Sequence, residues 1–197
     1  MADREIRGGI PAEIRADDSG GLKVVGYAAV FNEEADIGGE FREVIAPGAF
    51  KNALKRGDDV VFLVNHEGLP LARTRSGTLK LKEDEHGLYI ETELDPTDPD
   101  VMRIKPKMER GDMDKMSFAF RIAPGGQIWD DDGDLPLRTI HDVELGDVSI
   151  VNTPAYGGTE IALRSLQAHR KSENKGNALR RLRIKKHLNR HVLTERG

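Results

Sequence analysis

TLKLKEDEHGLYIETEL, Thr78 to Leu94, decides the fold class, because two alternating runs flank a short turn-forming segment. Leu79 and Leu81 alternate with lysines in the first run, and Leu88, Ile90 and Leu94 fall at every second position of the second. Successive side chains of a strand point to opposite faces, so this spacing gives each run one apolar face. Glu83-Asp84-Glu85-His86-Gly87 supplies the turn, and the whole stretch is predicted to be an antiparallel hairpin.

The same grammar extends in both directions. Upstream, DVVFLV (Asp59 to Val64) is an apolar run of buried-strand length that stops at Asn65-His66-Glu67. Before it, FREVI (Phe41 to Ile45) alternates as a strand, and Pro47-Gly48 leads into a short helix, Ala49 to Arg56, ended by Gly57. IPAEIRA (Ile10 to Ala16) and LKVVGYAAV (Leu22 to Val30) form an opening hairpin around Asp17 to Gly21. Downstream, Asp95-Pro96-Thr97-Asp98-Pro99 offers N-cap chemistry for a helix that ends near Gly111, with Pro106 expected to kink or interrupt it. KMSFAFRI (Lys115 to Ile122) is a strand with Met116, Phe118 and Phe120 on one face and Ser117, Ala119 and Arg121 on the other. Residues 123–137 contain an acidic loop, DDDGD, and are expected to be exposed, and Thr139 to Val151 reads as one long alternating strand. Asn152 to Tyr156 ends it, and Thr159 to Gln167 looks helical. Many short strands with a few inserted helices predict a mainly β protein of the α+β class, a β-barrel or sandwich with flanking helices.

Composition bounds the chemistry. The chain has 197 residues, 38% of them hydrophobic, which suffices for one domain with a core and some peripheral sequence. No run of about 18 apolar residues is present to span a membrane, and the charged start MADREIRGG lacks the apolar stretch of a secretory signal. A soluble, intracellular protein is therefore expected. With no cysteine, a thiol nucleophile, a disulfide framework and a thiolate zinc site are all excluded. Neither a metal nor an organic cofactor is called for by any motif. Residues 1–163 carry 19 Lys/Arg against 32 Asp/Glu, net −13, whereas residues 164–197 carry 11 against 2, net +9. The expected organisation is a catalytic domain over residues 1–168 and a basic, flexible tail over residues 169–197. A weak stripe in that tail, Ile184, Leu188 and Val192, has the spacing of a short basic helix. The tail is a candidate partner-binding arm; nucleic acid is the least favoured partner, since the acidic body repels phosphate and the tail has no aromatic residue to stack on a base.

Covalent hydrolysis without a thiol needs a hydroxyl activated by a base, and the base must itself be held by a third polar group. Three of the six histidines, His169, His187 and His191, lie in the basic tail, and His86 sits at a hairpin tip. His66 and His141 remain. His66 follows an apolar strand, which would fix a base while leaving it accessible. The competing interpretation is a histidine satisfied at a strand end. Ser117 lies between Met116 and Phe118, facing the side of small Ala119, as a nucleophile or as a strand serine bonded to a neighbouring carbonyl.

A set of ordered motifs bears on that choice. They are Asn65-His66-Glu67, Leu71-Ala72-Arg73-Thr74, Ser76-Gly77-Thr78-Leu79, Gly87-Leu88, Met116 to Phe120, and Asp147 to Val151 followed by Pro154-Ala155. Together with Gly26 to Phe31 and Ile45 to Phe50, they resemble the prohead protease family of tailed phages, itself distantly similar to the herpesvirus assemblin proteases. The resemblance spans about residues 24–165. It implies an assemblin-like closed β-barrel core and a serine endopeptidase with His66 as base and Ser117 as nucleophile. The third member falls on Asp147, where the family pattern has Glu, with His141 as the alternative that an unbroken strand would place on the same face. The carboxylate is favoured, because it both fixes the imidazole tautomer and stabilises the imidazolium. The implied substrate is the scaffolding protein or the scaffolding segment of the major capsid protein, cut inside the prohead in the bacterial cytoplasm, with cleavage of the protease itself and self-association also implied. The rival class is a catalytically inactive capsid-assembly or scaffold-binding protein of the same fold.

Overall fold

The computed structural model describes residues 4–16, 22–153, 161–175 and 179, and divides the chain into two compact units, Met1–Thr159 and Glu160–Gly197. The second unit contains a helix over residues 161–175. The expected turn at Asp17 to Gly21, the Pro154-Ala155-Tyr156 segment and the stripe of Ile184, Leu188 and Val192 lie outside the described residues.

The first unit is built on β1 (Glu5–Ala16), β2 (Leu22–Val30), β3 (Ala35–Ile37), β4 (Phe41–Ile45), α1 (Lys51–Arg56), β5 (Val61–Val64), β6 (Glu67–Arg73), β7 (Leu79–Glu83), β8 (Gly87–Leu94), α2 (Pro99–Glu109), β9 (Lys115–Ile122), β10 (Gln127–Asp130), β11 (Leu137–Ile140) and β12 (Val143–Val151). Eight strands form one sheet in the order β6-β5-β12-β9-β1-β2-β8-β7, and a second sheet runs β10-β11-β4-β3. The edge strands β6 and β7 approach one another, so the large sheet curls into a nearly closed barrel. The architecture is mainly β with a few helices, as the sequence predicts.

Local chemistry accounts for the elements. The β7–β8 hairpin pairs Leu79 with Thr92 and Leu81 with Ile90, in the register that keeps the apolar faces together. Gly57 adopts φ 71 at the end of α1, a left-handed cap that glycine takes without a Cβ clash. In α2 the Asp98 carboxylate accepts from the Asp100 N–H at 2.8 Å and Pro99 opens the first turn. Pro106 does not interrupt α2, which continues to Glu109; the proline sits in the last turn, where little helix remains to be distorted.

Three further features depart from the expectations. Residues 123–137 keep the exposed acidic loop but also contain β10, a strand not predicted there, which pairs with β11. A strand, β6, follows directly after His66, where the apolar run ends and no strand is predicted. Thr139 to Val151 is not one strand: the chain turns at His141-Asp142, whose N–H groups both bond to the Gly126 carbonyl, and β11 and β12 belong to different sheets.

Phe31, Phe50, Phe118 and Phe120 stack through the core, with Phe50 and Phe118 edge to face at 5.6 Å and Phe118 and Phe120 stacked at 5.0 Å. Beside them lies a buried ionic cluster that joins the two sheets. Arg7 of β1 donates to Glu43 of β4 (2.6 and 2.9 Å) and to Glu5 (2.8 Å). Arg138 of β11 donates to Glu5 at 2.7 and 2.8 Å, to Glu43 at 2.9 Å and to Gln127 at 2.6 Å. Burial works against the Arg7 charge, but attraction and hydrogen bonds to Glu43 and then Glu5 more than offset it and raise its pKa above the ordinary value.

With two cations and two anions the cluster is neutral, and removing one member leaves a charge uncompensated. Arg138→Met is therefore expected to cost about 3–5 kcal/mol, read as a lower urea midpoint at unchanged slope. A change below about 1 kcal/mol would show that Glu5 and Glu43 are solvated on loss of their partner.

Candidate active site

His66 owes its position to a two-residue hairpin. Val64 pairs with Glu67, and the residues between them, Asn65 (φ 51) and His66 (φ 62), are both left-handed. This is the φ signature of the tight turn whose twist suits a hairpin; asparagine and histidine tolerate it better than most residues. Backbone bonds hold the turn against β12: the Asn65 N–H donates to the Ile150 carbonyl (3.0 Å), and the Asn152 N–H to Asn65 Oδ1 (3.2 Å).

Ser117 lies at the middle of β9, paired with Gly8 of β1 on one side and Ser149 of β12 on the other. Gly8 has no substitute at this place, because a Cβ there would lie 2.6 Å from both the Cβ and Oγ of Ser117. Asp147 reaches the same face through an irregularity. Leu145 pairs with Phe120 on the core side, the register shifts at Gly146, and Asp147 pairs with Ala119 on the Ser117 side. The extra residue inverts the alternation, so Leu145, Val148 and Ile150 point into the core while Asp147 and Ser149 face the site.

These placements bring three of the sequence-derived residues together. His66 Nε2 lies 2.7 Å from Ser117 Oγ, and His66 Nδ1 lies 2.6 Å from Asp147 Oδ1. An ionised carboxylate can only accept, so Nδ1 carries the proton toward Asp147 and Nε2 is left as the acceptor facing the serine. The Ser117 hydroxyl has one proton and two acceptors in reach, His66 Nε2 and the Arg7 carbonyl at 2.8 Å. Ser117 thus has both a histidine nitrogen and a neighbouring-strand carbonyl within hydrogen-bond reach. Asp147 Oδ2 also accepts from Arg4, and Ser149 Oγ donates to Asp147 Oδ1 at 3.0 Å. The residues are well covered: Ser117 is 0% exposed and Asp147 3%, and the His66 side chain is 6% exposed.

His141 is not brought to His66. It sits in the turn between β11 and β12, and the broken strand removes the shared face on which its candidacy rested. Arg4, the Arg7 carbonyl and Ser149 were not singled out from the sequence. Ser149 did leave a signal, a polar residue at the alternate position two beyond Asp147 in an otherwise apolar strand. Among the described residues no cluster of His, Asp and Glu has the makings of a metal site.

Residues 11–172 match the family model described as caudovirus prohead serine protease. The protein named prohead protease from Enterobacteria phage HK97 is 34% identical over 142 residues, which cover 70% of this chain. The chain spans about 57% of the length of that relative. No solved structure matches it significantly.

Proposed function

The chain belongs to the caudovirus prohead serine protease family, and on that premise we propose that it is a serine endopeptidase with Ser117 as nucleophile, His66 as general base and Asp147 as the group that orients the base. The observation that carries this is the unbroken chain of contacts from Asp147 Oδ1 to His66 Nδ1 (2.6 Å) and from His66 Nε2 to Ser117 Oγ (2.7 Å).

The chemistry follows from that order of atoms. Ser117 Oγ attacks the scissile carbonyl carbon while its proton passes to His66 Nε2, and Asp147 stabilises the imidazolium that results. The tetrahedral adduct collapses as Nε2 returns the proton to the leaving amine, and the acyl group stays on Ser117. Water, deprotonated by the same imidazole, then releases it. Asp147 stands where the family pattern has a longer Glu, and the 2.6 Å contact supports an equivalent role for the shorter side chain.

The proposed substrate is the scaffolding protein, or the scaffolding segment of the major capsid protein, inside the phage prohead. Enclosure places protease and substrate at high local concentration, so a modest affinity suffices and self-cleavage is expected as well. We assign residues 1–168 to catalysis and read the basic residues 169–197 as an arm that docks to an acidic segment of the scaffold or capsid protein during co-assembly.

Co-expression with the capsid and scaffolding proteins of the same phage tests this. Intact-mass spectrometry should show new termini in one of them that are missing when the protease is left out. Capsid and scaffold chains of unchanged mass would overturn the proposal in favour of a non-catalytic assembly role.

A further inference from the structure

The side chain of Ser149 is buried on a strand whose neighbours Val148, Ile150 and Val151 are apolar, and its residue is 0% exposed. A buried hydroxyl is costly unless it is hydrogen-bonded, and a strand serine ordinarily finds a nearby carbonyl. Ser149 instead bonds to the two residues proposed as the base and as the group that orients it. Its O–H donates to Asp147 Oδ1 at 3.0 Å, and its oxygen accepts from the His66 backbone N–H at 3.2 Å. The same oxygen lies 3.2 Å from His66 Nδ1.

The donor inventory makes this arrangement specific. Asp147 Oδ1 receives Nδ1–H from His66 and O–H from Ser149, while Oδ2 receives Arg4, so three donors from three segments set the plane of the carboxylate. Of these, the Arg4 side chain is 41% exposed, whereas Ser149 is wholly covered. The left-handed φ of 62 at His66 still carries a conformational cost that its surroundings must offset, in addition to the hairpin that selects it. The Ser149 hydroxyl supplies a restraint at the amide of the residue whose ring Asp147 also holds.

We propose that Ser149 is a positioning residue of the catalytic apparatus: one hydroxyl clamps both the left-handed backbone of His66 and the carboxylate of Asp147, and so keeps Nε2 aimed at Ser117. This rests on the serine-protease function proposed above. Ser149 touches no reacting atom, and its effect is carried through His66 and Asp147. Misplacement of a catalytic group by a fraction of an ångström is enough to lower the rate of the chemical step while binding of the peptide is unaltered.

Three variants and two readouts separate the possibilities: Ser149→Ala, Ser149→Cys, which keeps the volume but bonds weakly, and Ser117→Ala as the reference. Kinetics are measured with a peptide spanning a cleavage site found by mass spectrometry. The Nδ1 proton of His66 is followed as a downfield proton resonance, assigned by its loss in His66→Gln. Both Ser149 variants are expected to lower kcat about 10- to 100-fold with KM within about twofold, and to shift or broaden the Nδ1 resonance. Ser117→Ala should abolish turnover and keep that resonance. Wild-type kcat and an unmoved resonance in Ser149→Cys, with Ser117→Ala inactive, would overturn the role of Ser149 and leave the proposed function standing. Continued cleavage by Ser117→Ala would instead overturn the function. The resonance then decides alone: a shift in the Ser149 variants supports the clamp on the His66–Asp147 pair, and none refutes it. If Ser149→Ala does not fold, Ser149→Cys carries the same comparison.

Discussion

Ser117→Ala is expected to lower substrate cleavage by on the order of 10⁶-fold while leaving a folded protein. The size of the effect follows from what is lost. Without Oγ no acyl intermediate forms, and the His66–Asp147 pair retains a base with nothing to deprotonate except water. The structural loss is small by comparison. The hydroxyl contacts His66 Nε2 at 2.7 Å and the Arg7 carbonyl at 2.8 Å, and removing one side of such a bond costs about 1 kcal/mol. For a chain of this length that is a shift of about 2–4 °C per kcal/mol in the melting temperature. The informative measurement is therefore the ratio of the two effects. Cleavage products, followed by mass spectrometry over a long incubation, should vanish while the melting curve stays cooperative. Cleavage at even one per cent of the wild-type rate would exclude Ser117 as the nucleophile.

How far the sequence discloses this arrangement depends on whether the information is local. The hairpin over Thr78 to Leu94 and the strand KMSFAFRI carry their own period-two pattern, and the structure keeps both, including the face on which Ser117 lies. The hairpin holding His66 is less legible, because Gly68 and Pro70 argue for a loop and the residues of β6 next to the turn are exposed, which removes the apolar alternation. Between Ile140 and Ile150 the apolar pattern carries two breaks that a single alternating strand does not have. Ile140, Val143, Leu145, Val148 and Ile150 are all buried, and the two steps of three among them mark the turn at His141-Asp142 and the shifted register at Gly146. A strand without breaks would have kept steps of two. That detail decides between His141 and Asp147 as neighbour of His66, since only the shifted register turns Asp147 out of the core.

The surroundings of the site were beyond local reading for a different reason. Arg4 meets Asp147 across 143 residues of sequence and the Arg7 carbonyl meets Ser117 across 110, and no periodicity or cap encodes such contacts. They arise because β1 runs beside β9, which depends on Gly8 leaving room for Ser117 and on the buried Glu5–Arg7–Glu43–Arg138 cluster fastening β1 to the second sheet. Sequence motifs named the residues proposed to react; the packing that orients them is a property of the assembled sheets.

Asp147→Asn is expected to lower kcat by about 10³- to 10⁴-fold, against less than about threefold for His141→Gln. In the wild-type arrangement Asp147 Oδ1 accepts Nδ1–H at 2.6 Å, which leaves Nε2 free to receive the Ser117 proton. An asparagine in the same place loses the charge that stabilises imidazolium. Where its Nδ2 faces the ring it also donates to Nδ1, so the ring proton moves to Nε2 and points at a serine that then has no base. The fold should tolerate the change. Asparagine is nearly isosteric with aspartate, the Ser149 oxygen can accept from an amide nitrogen that takes the place of Oδ1, and the Arg4 side chain is 41% exposed and can bond to the amide oxygen or to solvent. His141 sits in the turn after β11, anchored through its backbone N–H to Gly126, and a glutamine keeps that bond intact. Steady-state kinetics on a cleavage-site peptide decide the matter, since both variants should bind the peptide as the wild type does and differ only in turnover. Should His141→Gln prove the more damaging of the two, the third catalytic role passes to His141, and the contact between Asp147 and His66 becomes a structural one.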